Sequence, residues 1–262
     1  MTQEFKYSLL VPTRNRPQSF HRFIESVYKM TQYKQNVEFL FAVDEDDAES
    51  KQYVTQGIEQ YRQHFLDMRM LVRPRTEMLN NDYYNWLADQ AIGDLYWVLA
   101  DDLEFAAPNW DEKVNIEVNN FYVKYPDRII CVSIKDNTPP PSHKLPKFPC
   151  FPMLTREAKK ALGEWILFPK TPTWGADYIT YCIFQPLDRI LQIHDRNYLI
   201  HYSWHTKTAP VDATNQRIGE IFNRLKGVPH YNTDRAIDHE VPTIRGQLMD
   251  RVREFQQGEK HV

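Results

Sequence analysis

Three groups of charged side chains in this 262-residue sequence each follow a short apolar run. Arg14 and Arg16 lie in Pro12-Thr13-Arg14-Asn15-Arg16-Pro17, and Asp44, Glu45, Asp46 and Asp47 are contiguous. Asp101, Asp102 and Glu104 come directly after Leu95 to Ala100, the most apolar strand-like stretch of the chain. Carboxylates brought this close repel, and a divalent cation with a preference for hard oxygen ligands relieves that repulsion. If the cation also bridges the phosphates of a nucleotide, it neutralises a leaving diphosphate. The same acids would equally serve as caps for the loop and helix around Trp110. Arg14 and Arg75 each offer a planar fork of donors that matches diphosphate oxygens, or, more plainly, a surface ion pair. Asp177, in Trp174-Gly175-Ala176-Asp177-Tyr178, stands before an apolar helical stretch, where it either caps the helix or points a carboxylate into a cleft.

The elements that must position these groups follow from periodicity. Apolar runs predict strands at Ser8 to Val11, Val37 to Val43, Arg69 to Val72, Leu95 to Ala100 and Ile129 to Ile134. Between the first two, Phe20, Phe23, Ile24 and Val27 recur at helical spacing behind Pro17, which suits a helix first turn. Glu49 to Leu66, Asp82 to Ala91 and Trp110 to Tyr125 read as further crossover helices. The alternation predicts an α/β fold: an open, mostly parallel sheet flanked by helices, with ligands gathering at the carboxyl ends of the strands. The three groups of charged side chains after strands one, two and four fall on that edge. Asp136 to Pro152, with Pro139, Pro140 and Pro141 in a row, predicts a long surface loop. Downstream, helices are expected near Arg156 to Leu162, after Asp177, near Asn215 to Lys226 and at Thr243 to Gln256, with a strand around Arg189 to Ile193.

Composition removes several alternatives. Only 8 glycines are present, and none builds a Walker A loop or a GxGxxG turn, so a nucleotide must be held some other way. A formal net charge of −3 provides no whole-molecule attraction for nucleic acid. The cysteines Cys131, Cys150 and Cys182 fit neither a disulfide framework nor a CxxC metal site and read as reduced core thiols. No apolar run approaches the roughly 20 residues of a membrane span, and the first residues lack the pattern of a secretory signal. A cytoplasmic protein is expected.

Gly93-Asp94-Leu95-Tyr96-Trp97-Val98-Leu99-Ala100-Asp101-Asp102 resembles the "G-D/E-Y-I, apolar residues, D-D-D" segment of family 2 glycosyltransferases with the GT-A fold. Asn85 is similar to the asparagine of that family's "A-R-N" motif, and Leu9 to Pro17 resembles its opening "V-I-I-P-T-R-N-R". The likeness covers about the first 110 residues. Two positions depart from it: Ala100 stands for the first aspartate of the triplet and Tyr84 for the arginine of "A-R-N".

The resemblance implies a metal-dependent transferase that uses a nucleotide-diphosphate sugar, a UDP-sugar by preference, with Mn2+ or Mg2+. It implies donor contacts from Thr13, Arg14, Asp44, Arg75, Asn85 and Asp101, Asp44 accepting from the nucleobase. Asp102, the last aspartate of the triplet, becomes the metal ligand, with Glu104 beside it. A histidine late in the chain, His201 or His205, completes the metal site, since neutral imidazole is a competent ligand for manganese. A structural zinc would need further Cys or His at spacings that are absent. Asp177 becomes the general base of an inverting reaction, with Glu164 in reserve. Residues 1–134 then form the nucleotide-sugar half and 135–262 the acceptor side of one GT-A domain. The transferred sugar would be a hexose or pentose; the acceptor, whether a saccharide, a lipid-linked sugar, a protein or a modified DNA base, stays open. The rival from another class is a catalytically silent module that binds a sugar nucleotide or glycan on the same fold. A sugar-phosphate nucleotidyltransferase is disfavoured, because no glycine-rich basic loop follows the first strand.

Overall fold

A computed structural model describes residues 3–76, 78–137, 148–170, 175–202 and 236–258. The expected helix around 215–226 lies outside the described residues. Nine strands are described: β1 (Tyr7–Pro12), β2 (Val37–Asp44), β3 (Asp67–Arg73), β4 (Leu95–Val98), β5 (Leu103–Phe105), β6 (Cys131–Ile134), β7 (Met153–Thr155), β8 (Ile190–Ile193) and β9 (Leu199–His201). The helices are α1 (Pro17–Met30), α2 (Ala48–Tyr61), α3 (Trp86–Gln90), α4 (Trp110–Lys124), α5 (Arg156–Ala161), α6 (Ala176–Phe184) and α7 (Val241–Gly258). A π-helical turn, Asn80–Asn85, leads into α3.

Seven strands form one sheet in the order β3-β2-β1-β4-β7-β6-β8. β1 pairs in parallel with β2 and β4, β2 with β3, and β6 with β8. The expected open, mostly parallel sheet is therefore present, with one exception. β7 lies between β4 and β6 and runs antiparallel to both. It directly follows the proline-rich stretch that ends at Pro152, in residues for which the sequence predicts no element, and three residues are too few to show a period of two. The fourth strand also ends earlier than expected, at Val98, so that Leu99 to Asp102 are free to turn.

Strand alternation divides the apolar side chains between two layers. Leu9, Val11, Phe39, Phe41, Val43, Leu95 and Trp97 pack with Phe20, Phe23, Ile24 and Val27 of α1 and with Trp110, Val114 and Val118 of α4. Leu10, Leu40, Ala42, Tyr96 and Val98 face the other way, onto Leu87 of α3, Ala158 of α5, Ile179 and Ile183 of α6 and Leu248 of α7. Both faces of β1 and β2 are covered, which is why these strands read as continuous apolar runs. Cys131 is buried, whereas Cys150 and Cys182 are only partly so; all three are free thiols.

Gly93 shows how closely the strand starts are packed. Its N–H donates to Ser8 Oγ at 2.9 Å and to Glu38 Oε1 at 3.1 Å, and a Cβ there would lie 2.9 Å from Ser8 N and 3.0 Å from Lys6 O. The buried Glu38 carboxylate also accepts from Ser8 Oγ, Ile92 N and the Arg69 guanidinium, which joins β1, β2, β3 and the turn before β4. At the far side, Arg189 and Asp127, both buried, make a two-pronged ion pair of 2.6 and 2.8 Å.

A second, two-stranded sheet pairs β5 with β9 antiparallel. Its register sets Leu103 opposite His201, and Tyr202 N donates to Asp102 O at 3.1 Å. This small ladder carries a residue from 100 positions downstream to the end of β4.

Candidate active site at the carboxyl edge of the sheet

The exit of β1 is bent by local hydrogen bonds. Thr13 N donates to Ala42 O at 3.0 Å, and Asn15, in the left-handed region at φ 51°, donates its N–H to Ser50 Oγ at 2.9 Å and to Asp47 Oδ2 at 3.3 Å. Asp47 is the N-cap of α2 and accepts from Ser50 N. It is thus a buried structural residue rather than a solvated one. The bend sends Arg14 and Arg16 in two directions.

Arg16 turns toward the end of β4. Its Nη1 lies 3.0 Å from Asp101 Oδ1 and 3.4 Å from Asp102 Oδ2. Thr13 Oγ1 donates to Asp101 Oδ2 at 2.7 Å and shares a further hydrogen bond with Tyr53 OH. Asp101 is buried, and that burial pushes its carboxyl up to about 6 against the lowering effect of Arg16 and Thr13. For Asp102 burial also acts upward, but His201 and Arg16 outweigh it and hold the carboxyl below its ordinary value. Asp102 Oδ1 is buried, accepts no hydrogen bond among the described residues, and lies 3.5 Å from His201 Nε2. Tyr84 reaches the same place from the α3 side, donating to Leu99 O at 3.0 Å.

Arg14 turns toward the end of β2. Nη1 is 2.7 Å from both Asp44 Oδ2 and Asp46 Oδ1, and Nη2 is 3.2 Å from Asp46 Oδ2. Tyr83 OH donates to the other oxygen of Asp44. The hydrogen bond from Arg14 holds the Asp46 carboxyl below its ordinary value, and Arg75 adds to this from its exposed position after β3. The guanidinium of Arg73 lies over the rings of Tyr83 and Trp86, 5.3 and 5.1 Å from their centroids.

The structure brings Thr13, Arg14, Asp44, Asp101, Asp102 and His201 to one edge, but it handles two other expected residues differently. Glu104 is not gathered to Asp102 and His201. On β5, Leu103 and Phe105 enter the core, so Glu104 faces the opposite way, accepting from Tyr202 OH at 2.6 Å with Arg22 at 4.0 Å. Among the described residues no three His, Cys, Asp or Glu side chains form a ready metal cage. Asn85 spends its amide on backbone: Oδ1 accepts from Ile166 N and Leu167 N, and Nδ2 donates to Leu167 O. It latches a loop to the helix. His205 lies outside the described residues.

Asp177 sits in the first turn of α6 but is not its cap, a position taken by Gly175 at φ 86°. It is part-buried, and Oδ1 accepts from Tyr178 N at 2.8 Å. Burial raises its carboxyl to about 6. The reserve base Glu164 is exposed and ion-paired with Lys159 at 3.0 Å.

Arg16, Tyr53 and Tyr83 are the residues that the sequence reading did not single out. Arg16 stood inside the motif at the end of β1, yet nothing in its spacing distinguished it from Arg14. The tyrosines are reached only through the packing of α2 and the turn before α3 against the sheet.

No protein-family model and no curated protein matches the chain. Solved structures do. A mannosyltransferase from Pyrobaculum calidifontis, solved with GDP-Man and Mn2+, superposes at TM-score 0.59 and 12% identity, over 95% of this chain and 74% of that one. S. aureus TarS 1-349 in complex with UDP gives 0.56 and 13%, over 97% and 92%. GalNAc-T7 with UDP, GalNAc and Mn2+ gives 0.58 and 14%, over 91% and 55%. At these identities the likeness is one of fold, and the chain has the α/β architecture of the GT-A-type glycosyltransferases.

Proposed function

We propose that this protein is a glycosyltransferase that moves a sugar from a nucleotide-diphosphate sugar, a UDP-sugar by preference, to an acceptor hydroxyl with inversion. The observation that carries this reading is the convergence, on one strand edge, of Arg14 with Asp44 and of Arg16 with the buried pair Asp101 and Asp102. Its setting is a fold shared with enzymes solved with GDP-Man, UDP and Mn2+.

Asp44 would accept from an imide N–H of the base, and Arg14 and Arg75 beside it would supply cationic donors to the nucleotide. Thr13 and Asp101, hydrogen-bonded to each other, would shape the floor between the base and the metal. The orphaned Asp102 Oδ1 next to His201 fits a divalent cation, Mn2+ or Mg2+, which these two residues would hold, with donor phosphates or water as further ligands. When bound, such an ion neutralises charge on the leaving diphosphate.

Asp177 has the property a base needs: a carboxyl at about 6 is largely ionised at neutral pH yet basic enough to take a proton. It would accept the hydroxyl proton as the acceptor oxygen bonds to the anomeric carbon. The bond from that carbon to the diphosphate breaks with its electron pair leaving on phosphate. Residues 1–134 then serve as the donor half and 135–262 as the acceptor side, and the free thiols suit a reducing, cytoplasmic compartment.

The test is a screen of nucleotide sugars with manganese, with and without saccharide acceptors, reading release of nucleoside diphosphate. UDP release from one UDP-sugar is the expected result. Nucleotide binding without release in any condition would replace this reading with the silent module.

A further inference from the structure

The acid pair at the end of β4 carries less negative charge than its sequence advertises. Where the resembling motif has three aspartates, this chain has Ala100, Asp101 and Asp102. Of the two acids left, Asp101 is committed: Thr13 occupies Oδ2 at 2.7 Å and Arg16 occupies Oδ1 at 3.0 Å. The same Arg16 nitrogen stands 3.4 Å from Asp102 Oδ2, which leaves Oδ1 as the oxygen without a hydrogen bond among the described residues. Arg16, Asp101 and Asp102 together sum to one negative charge. Arg16 is also firmly seated. It is the residue before Pro17 at the start of α1, and its own N–H reaches Tyr53 OH.

A dication approaching one net negative charge, with a fixed guanidinium beside it, gains little over its hydration in water. The same dication accompanied by a diphosphate brings its own anionic oxygens, and Arg16 then faces phosphate as well as carboxylate. We propose that Arg16 is a positioning residue that makes this site take up its divalent cation together with a nucleoside diphosphate rather than alone. This rests on the nucleotide-sugar reading above and adds to it an order of loading and the residue that sets it. Tyr84, which stands where the resembling motif has an arginine, is neutral and leaves Arg16, among the described residues, as the cation in contact with both acids.

The experiment is a titration of the intact protein with Mn2+, following the loss of the free-ion electron paramagnetic resonance signal, alone and with saturating UDP. The wild type should bind Mn2+ weakly alone and at least about tenfold more tightly with UDP. Arg16→Gln removes the fixed positive charge, so it should bind Mn2+ alone about tenfold more tightly than the wild type and lose most of the gain from UDP. Arg16→Lys keeps the charge and should keep the wild-type pattern, which separates the charge effect from a general disturbance of the β1 exit. The inference is overturned if Arg16→Gln binds Mn2+ alone no better than the wild type, or if the Lys variant behaves like the Gln variant. A wild type that binds no Mn2+ and UDP together overturns the nucleotide-sugar reading itself; a wild type with strong coupling that Arg16→Gln retains overturns only the role of Arg16.

Discussion

Asp177 combines a raised carboxyl with a place in the first turn of α6, where the cap position belongs to Gly175. Asp177→Asn therefore isolates proton acceptance. It should lower kcat by a factor of about 10² to 10⁴ while donor affinity is unchanged. The wild-type rate should fall as pH drops through about 6, as the base becomes protonated. Stability should move the opposite way from activity. A carboxyl at about 6 when folded and 3.8 when unfolded destabilises the folded state above pH 6, by an amount that shrinks between pH 6 and 4 and vanishes below. The Asn variant should thus melt at or above the wild-type temperature at pH 7 and match it at pH 3.5. Activity retained at pH 7 would remove Asp177 from the mechanism. Asp102 makes a separate case. Asp102→Asn should abolish manganese-dependent UDP binding, measured by calorimetry, and EDTA should do the same to the wild type. Asp102→Asn should also lower the melting temperature at pH 7, since Arg16 and His201 favour the ionised carboxylate in the folded protein, an effect that fades as the pH falls through the carboxylate range.

The element scale is governed by how β1 leaves the sheet and how β4 enters it. At the exit, the left-handed Asn15 and the buried Asp47 cap of α2 force Arg14 and Arg16 apart, so that one loop serves both the Asp44 and the Asp101–Asp102 ends. At the entry, Gly93 has no space for a side chain between Lys6 and Ser8. Gly93→Ala must push β4 away from β1 and disturb the hydrogen bonds on Glu38. A loss of about 1 to 3 kcal/mol in urea denaturation is expected. Because β4 ends in the acid turn, donor affinity per folded molecule should weaken as well. A variant as stable as the wild type would show that the strand start adjusts without strain. Asn85 belongs at this scale too, since its amide fastens Ile166 and Leu167 to the π-helical turn that also carries Tyr83 and Tyr84.

Across the whole molecule, the sheet separates stability from chemistry. Apart from Asp177 on α6, His201 on β9 and Arg75 after β3, the polar groups proposed for the reaction sit at the carboxyl ends of β1, β2 and β4, whereas a buried ion pair, Arg189 with Asp127, ties the turn after α4 to β8 far along the sheet. Arg189→Ala leaves the Asp127 carboxylate buried and unpaired and should cost about 3 to 5 kcal/mol. Binding of UDP with Mn2+ by the folded fraction should stay at the wild-type level; a loss there would mean that β8 and the turn before it reach the site. Among the described residues no helix is long and apolar enough to cross a membrane.

Local sequence determined what local physics controls. α1 starts at Pro17 as expected because a proline at its first position and four apolar side chains on one face are local signals. β2 was legible because both its faces are buried, and the acids after β2 and β4 because an apolar run ended in charge. What the sequence could not determine depends on pairing between distant segments. β7 is three residues long and is fixed by its neighbours β4 and β6 rather than by any period of its own. His201 reaches Asp102 only because β9 pairs with β5, a choice made by hydrogen-bond register. Glu104, two residues from Asp102 in sequence, lies on β5 while Asp102 lies in the turn before it, and Glu104 is engaged by Tyr202 and Arg22 instead. Arg14 and Arg16 are alike in type and nearly in position, and only the bend at Asn15 assigns one to Asp44 and the other to the acid pair. Residue type and local period set which groups were available; strand register and the turns between elements, which answer to burial across the whole chain, decided which of them meet.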